Sequence, residues 1–143
     1  MSLENSKKIL KIFGILGIIG GIFMIILGVV GVALGGAVIG TAGDVEEDMV
    51  TGATVTIAMV IVLISGIVSL LEGIFSVRAS KDTTKIQPAW IFAIIGLVSA
   101  VIGVVSAITS GGSFLSPLGT LAINGVIFMA ANTIKKSNND NFA

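Results

Sequence analysis

Four long apolar runs alternate with short polar stretches along the 143 residues. The first run carries no charge between Lys11 and Asp44. About 20 apolar residues cross a bilayer core, so the pattern predicts one helix near 9–34, with slack at its far end. Lysines followed by an apolar run resemble a signal peptide. An h-region, however, is only about 7–15 residues long, so this run reads as a retained anchor. From Gly36 to Thr54 the residues turn to Gly, Thr, Asp and Glu, the composition of an exposed loop. A second run, 55–77, is broken only by Glu72. Arg78–Gln87 is polar and basic. Pro88 then suits the first turn of a new helix, and Trp90 suits the interfacial belt. The third run spans 89–108. A Gly/Ser loop over Thr109–Pro117 leads into the fourth, 118–134, which is near the lower limit for a span. The polar tail Lys135–Ala143 is expected to fray.

The expected fold is therefore an all-α integral membrane protein, a four-helix transmembrane bundle forming one domain over residues 1–143. Composition agrees. The chain is 55% hydrophobic and 11% charged, with mean hydropathy +1.11, whereas a soluble domain carries about 25% charged residues. So few charges could not cover the surface of a water-soluble fold.

Net charge is zero, but the charges are sorted along the chain. All eight basic residues lie in three stretches: Lys7, Lys8 and Lys11; Arg78, Lys81 and Lys85; Lys135 and Lys136. With four spans these stretches share one side, and the other two loops hold no Lys or Arg. The positive-inside rule then predicts a multi-pass protein of the cytoplasmic (inner) membrane with N- and C-termini cytoplasmic. The acidic loop Asp44, Glu46, Glu47, Asp48 would face out. It lacks the spacing and glycine of a Ca²⁺-binding loop and reads as solvated. Short basic flanks are not the broad basic footprint of a nucleic-acid binder. The partners expected are the lipid bilayer and, within it, copies of this chain (a homo-oligomer) or another membrane protein.

Two stretches look duplicated. Residues 12–17, Ile-Phe-Gly-Ile-Leu-Gly, align with 91–96, Ile-Phe-Ala-Ile-Ile-Gly; 64–67, Ile-Ser-Gly-Ile, align more faintly with 123–126, Ile-Asn-Gly-Val. Either two duplicated helical hairpins, forming parallel repeats, or the chance likeness of apolar helices accounts for this.

Small residues recur at helical spacing. Gly14, Gly21, Gly28 and Gly35 are seven apart, with Gly17 and Gly31 at intermediate positions on the same face. The third run repeats the pattern with Ala89, Ala93, Gly96, Ala100, Gly103 and Ala107. Glycine costs about 1 kcal/mol against alanine in a helix. In lipid, small residues are explained by close backbone approach, and a sustained seven-residue repeat predicts left-handed packing. Packing within the bundle is the favoured reading. A self-association face, to which the GxxxG pairs Gly17–Gly21 and Gly31–Gly35 would contribute, is the alternative.

Chemistry is sparse. Cysteine and histidine are absent, so disulfides, thiol chemistry and the usual zinc sites have no donors. No GxSxG and no Gly-rich loop with a phosphate-binding lysine occurs. The expectation is a protein without enzymatic activity, cofactor or metal. Glu72 is the one ionisable residue inside a predicted span, and such a carboxylate is a functional candidate. It shares a helix face with Ser65, Ser69 and Ser76. An ion pair with Lys11, Lys135 or Lys136, or snorkelling to the nearby boundary, is the favoured account. Proton or cation handling and partner contact are the others. Asn124 and Asn132 read as interhelical hydrogen-bonding groups.

The stretch Leu71-Glu72-Gly73-Ile74-Phe75-Ser76-Val77-Arg78-Ala79-Ser80-Lys81-Asp82, followed by Lys85-Ile86-Gln87-Pro88-Ala89-Trp90, resembles small uncharacterised four-transmembrane-helix proteins of Gram-positive and gut bacteria. The opening Gly14–Gly21 is similar to such families too. The resemblance implies no activity. Small multidrug exporters share the size and span number, but their essential glutamate lies in the first helix, where this chain has none. The leading expectation is a non-enzymatic membrane protein that self-associates or modulates another membrane protein. The runner-up is a small transporter or channel using Glu72.

Overall fold

Four helices in chain order make up the structure, a computed structural model that describes the backbone of residues 1–41 and 46–142 and the side chains of 1–35 and 52–140. They are α1 (Leu3–Thr41), α2 (Glu46–Lys81), α3 (Ile86–Thr109) and α4 (Leu115–Phe142), with a single 3₁₀ turn, Thr83–Lys85, before α3. The fold is all-α, and all four helices are long and apolar enough to cross a membrane. The acidic patch Asp44, Glu46, Glu47, Asp48 lies outside the residues whose side chains are described.

The helices outrun the apolar runs that predict them. The 39 residues of α1 and 36 of α2 exceed the roughly 20 needed to span. The expected loop over Gly36–Thr54 is helical at 36–41 and 46–54. An apolar run ends where the hydrocarbon ends; a helix ends where its backbone hydrogen bonds can be handed to other partners. The expected fraying of the tail is corrected for the same reason. The helix α4 continues to Phe142, with Ile134 fully buried and the Asn138 side-chain amide donating to the Thr83 carbonyl.

The turns follow local chemistry. After α3, Gly111 adopts φ +70°, its N–H bonds the Ile108 carbonyl, and the Gly112 N–H bonds the Ala107 carbonyl. That pairing is a Schellman stop, which needs a residue tolerant of the left-handed region. Pro117 then sits in the first turn of α4, where its missing N–H costs no helix bond. Before α3, the Asp82 carboxylate accepts from the Thr84 N–H at 3.1 Å and its hydroxyl at 2.6 Å.

The chain divides into two compact units. One comprises Met1–Ile15 with Glu72–Ala143 and holds a core to which all four helices contribute: Leu10 from α1, Ala79 from α2, Ile86, Ala89 and Ala93 from α3, and Ala130, Ala131 and Ile134 from α4. Alanine predominates because the helices lie close together. Phe75 and Phe92 stack beside this core with centroids 5.5 Å apart. The other unit, Leu16–Leu71, is the hairpin formed by most of α1 and α2.

Around so small a core, large apolar side chains such as Ile57 (63% exposed) and Ile108 (64% exposed) turn outward. Isolated exposed hydrophobes are ordinary on a soluble protein, but apolar surface on this scale is not. The arrangement suits a multi-pass protein whose outer surface meets lipid.

Candidate functional site

In the hairpin unit, α1 and α2 meet through a repeated close contact. A Cβ placed on Gly21 would lie 2.7 Å from the Leu70 nitrogen. One on Gly28 would lie 2.7 Å from the Leu63 Cβ, and one on Gly35 would lie 2.5 Å from the Thr56 hydroxyl. Gly31 meets the Met59 side chain just as closely. Contacts step by seven along α1 and by seven backward along α2. In the other unit the same step sets Gly14 against Val77, with the Gly73 carbonyl 2.9 Å from where a Cβ would stand. The glycines at 14, 21, 28 and 35 are buried in these contacts and Gly17 and Gly31 are half-buried. The Gly17 carbonyl accepts from the Ser69 hydroxyl at 3.2 Å.

The other half of this interface escaped the sequence reading. Gly52, Gly66 and Gly73 are spaced by multiples of seven on α2. A Cβ on Gly66 would lie 2.9 Å from the Ile25 nitrogen, so both helices give way there. The signal was present in the spacing, but only α1 shows it as an unbroken series.

The small residues of α3 behave differently along the helix. Ala89, Ala93 and Ala100 are buried, and Gly96 faces Asn124, but a Cβ on Gly103 would meet nothing within 4 Å. Among the described residues, the close contacts of this seam stop short of Gly103. The duplication aligns Gly66 with Gly125, yet Gly66 is packed against α1 whereas Gly125 has open space beside it.

Of the polar residues singled out, Glu72 and Asn124 come together. A Cβ on Gly96 would stand 2.5 Å from the Asn124 Oδ1 and 3.8 Å from the Glu72 Oε1. The Asn124 Nδ2 donates to the Thr120 carbonyl at 2.9 Å, which fixes its orientation and turns Oδ1 towards Gly96. A carboxylate oxygen and an amide oxygen thus flank the same patch of α3, with a glycine leaving room between them. Both are acceptors. Ser76 is buried, Ser65 is exposed and Ser69 is committed to Gly17.

The lysine partner expected for Glu72 is absent among the described residues. Lys8 pairs with Glu4 at 3.1 Å and Lys85 with Asp82 at 3.6 Å. Lys135 sits instead over the Trp90 ring, 3.1 Å from its centroid, a cation–π contact that keeps the ammonium at the level of the indole. The Trp90 Nε1 is buried with no hydrogen-bond partner among the described residues.

The polar groups at this end of α3 and α4 border two grooves. One, of about 320 Å³, is lined by Thr84, Ile86, Gln87, Lys135, Asn138 and Asn139. The other, of about 460 Å³, includes Asn132, Lys136 and Asp140. Beside the first, hydrogen bonds from Thr84 and then the Lys85 charge hold the Asp82 carboxyl below the usual carboxylate range. No grouping of three or more carboxylates able to hold a metal occurs among the described residues.

Comparison with protein-family models, with curated proteins and with solved structures gives no match.

Proposed function

We propose that this chain is a non-enzymatic protein of the bacterial cytoplasmic membrane, with both termini cytoplasmic, that acts by packing against other membrane-embedded helices. The partner is a second copy of itself or another membrane protein. The observation that supports this is the pair of open glycines Gly103 and Gly119. Neither has a described atom within 4 Å of where a Cβ would stand. Gly103 lies seven residues beyond Gly96 on α3, and Gly119 five before Asn124 on α4. At 1.5 Å per residue the two sit at nearly the same height. Glycine in a helix is explained by close approach of another backbone; for the α1 series that backbone is α2, and for these two, which no described atom approaches, the reading assigns it to a partner helix.

Co-purification from native membranes tests the reading. A stable companion or a defined oligomer is expected, lost on Gly103→Leu with Gly119→Leu while the chain remains folded. A strictly monomeric protein with no companion would refute it.

A second reading, a small transporter or channel using Glu72, is favoured by the two oxygens that converge on Gly96, an arrangement that suits a bound proton or cation better than an isolated structural carboxylate. Flux of a labelled ion in proteoliposomes, abolished by Glu72→Gln in folded protein, would select it.

A further inference from the structure

The groove at the Trp90 end of α3 and α4 has the chemistry of an anion site at a membrane surface. Its wall carries one cation, Lys135, the amides of Gln87, Asn138 and Asn139, and the Thr84 hydroxyl, with no carboxylate among its lining residues. Two of these groups are held in place. Lys135 lies over the Trp90 ring, and Asn138 is tied to the Thr83 carbonyl, so the ammonium and one amide are organised without a ligand. Gln87 and Asn139 make no side-chain hydrogen bond with another described residue, which leaves their N–H groups available. Asp82, beside the lining residue Thr84, is occupied by the Thr84 N–H, the Thr84 hydroxyl and Lys85, and Asp140 lines the neighbouring groove instead. Tryptophan marks the depth of lipid headgroups, and Ile86 adds an apolar surface beside the polar ones.

We propose that this groove binds a phosphate group through Lys135 and the neighbouring amides. A volume of about 320 Å³ admits a phosphate with its ester substituents. Two sources offer this chemistry, the headgroup of an anionic phospholipid and free phosphate. The neighbouring groove supplies an internal control. Its lysine, Lys136, is next in sequence but shares its wall with the Asp140 carboxylate, as well as with Met1, so the Lys136 charge itself is offset there. A surface attraction that merely counts basic residues would treat the two lysines alike; a built site would not.

The test uses the full chain in detergent with native mass spectrometry. Phosphatidylglycerol is compared with phosphatidylcholine, and inorganic phosphate is supplied in a separate arm. Retention of phosphatidylglycerol over phosphatidylcholine is expected. Losing a charge-assisted contact should weaken it about tenfold in Lys135→Gln, while Lys136→Gln should change it much less. Because Lys135→Gln also removes the contact with Trp90, the double substitution Gln87→Ala with Asn139→Ala provides a second reading. It leaves that contact intact and should weaken retention as well. Displacement of the lipid by millimolar phosphate assigns the site to phosphate of either origin, and persistence against it assigns the site to the headgroup. Equal losses for the two lysines, or no preference for phosphatidylglycerol together with no phosphate binding, would overturn the proposal.

Discussion

Gly28 and Leu63 pack so closely that a Cβ on the glycine would lie 2.7 Å from the leucine Cβ and 2.9 Å from its Cα. Gly21 and Leu70 stand in the same relation one heptad away. The close approach is therefore a property of the whole helix pair. Lipid offers no hydrophobic drive for helices to associate, so the stability of this hairpin depends on backbone contact.

A bulky side chain at either glycine should separate the pair. Gly28→Leu and Gly21→Leu are expected to lower the thermal midpoint in detergent strongly, since overpacking against backbone typically costs about 1–3 kcal/mol and sometimes more. Gly20 is the control, because nothing lies within 4 Å of a Cβ placed there. In detergent-solubilised single chains Gly20→Leu should be neutral or slightly stabilising, as a better helix former replaces glycine; as an open glycine it bears on contacts within the chain and not on those with a partner. Equal losses at all three positions would remove the packing argument.

Gly96→Ala tests the other close approach. The added methyl would collide with the Asn124 Oδ1 at 2.5 Å, forcing a movable side chain rather than backbone to shift. A moderate loss of stability is expected, and Asn124→Ala should restore most of it by vacating the space. Such a rescue is a coupling between neighbours and registers as non-additivity in a double-mutant cycle. Additive losses would mean that the two residues do not touch.

These cases show why part of the fold was legible in the sequence and part was not. The α1 glycines repeat without a break, so the face they define needed no structure to be seen. Which helix covers it was not legible, because α2 answers Gly21, Gly28 and Gly35 with Leu70, Leu63 and Thr56, residues that any apolar helix could carry. Gly103 fits the α3 pattern as well as Gly96 does, yet among the described residues only Gly96 of the two has a neighbour; periodicity names a face but not how far along the helix a partner follows it. The helix ends were obscured because composition tracks the bilayer while α1 and α2 run beyond their apolar segments. The Trp90–Lys135 contact joins positions 45 residues apart, and nothing in either local sequence specifies it.

The sorting of basic residues gives a topology that fusions can check. Reporters placed after residues 48 and 113 should be active outside the cytoplasm, and those at residue 83 and the C-terminus inside. An outside signal at residue 83 would be incompatible with four spans and cytoplasmic ends.

Asp82 ties the turn before α3 together, and its carboxyl is held low by the Thr84 hydrogen bonds and Lys85. A group lowered on folding contributes stability above its unfolded value and loses it as pH falls through the folded value. The Thr84 amide should therefore stay protected from hydrogen exchange at neutral and mildly acidic pH and lose protection only on stronger acidification. In Asp82→Ala that amide should exchange quickly throughout. Protection unaffected by either change would dissociate the Asp82 cap from the turn.

Replacing Glu72 separates a structural role from a transport role in a way that follows from its neighbour. The Asn124 Nδ2 is occupied by the Thr120 carbonyl, and its Oδ1 stands with the Glu72 Oε1 within 4 Å of one point beside Gly96. An ionised Glu72 offers the Asn124 oxygen no donor, and the outcomes that follow are those expected of the ionised form. Glu72→Gln keeps the shape and introduces an N–H₂, which can satisfy Asn124 Oδ1. One such bond contributes about 1 kcal/mol, worth roughly 2–8 °C in thermal midpoint for a chain of this size, and the midpoint of Glu72→Gln should rise by that order. Glu72→Ala, which supplies no donor, should show no such rise. Asn124→Asp would set two carboxyl groups against the same glycine and should destabilise at pH values where both ionise, because like charges sharing a site repel. If Glu72 serves only the fold, Glu72→Gln stands above wild type in stability and Asn124→Asp below it, while partner binding stays in proportion to folded protein. If it handles an ion, the more stable Glu72→Gln protein loses flux entirely. A Glu72→Gln protein less stable than wild type would show that the carboxylate has a donor within the membrane, and the paired-acceptor geometry around Gly96 would have to be abandoned.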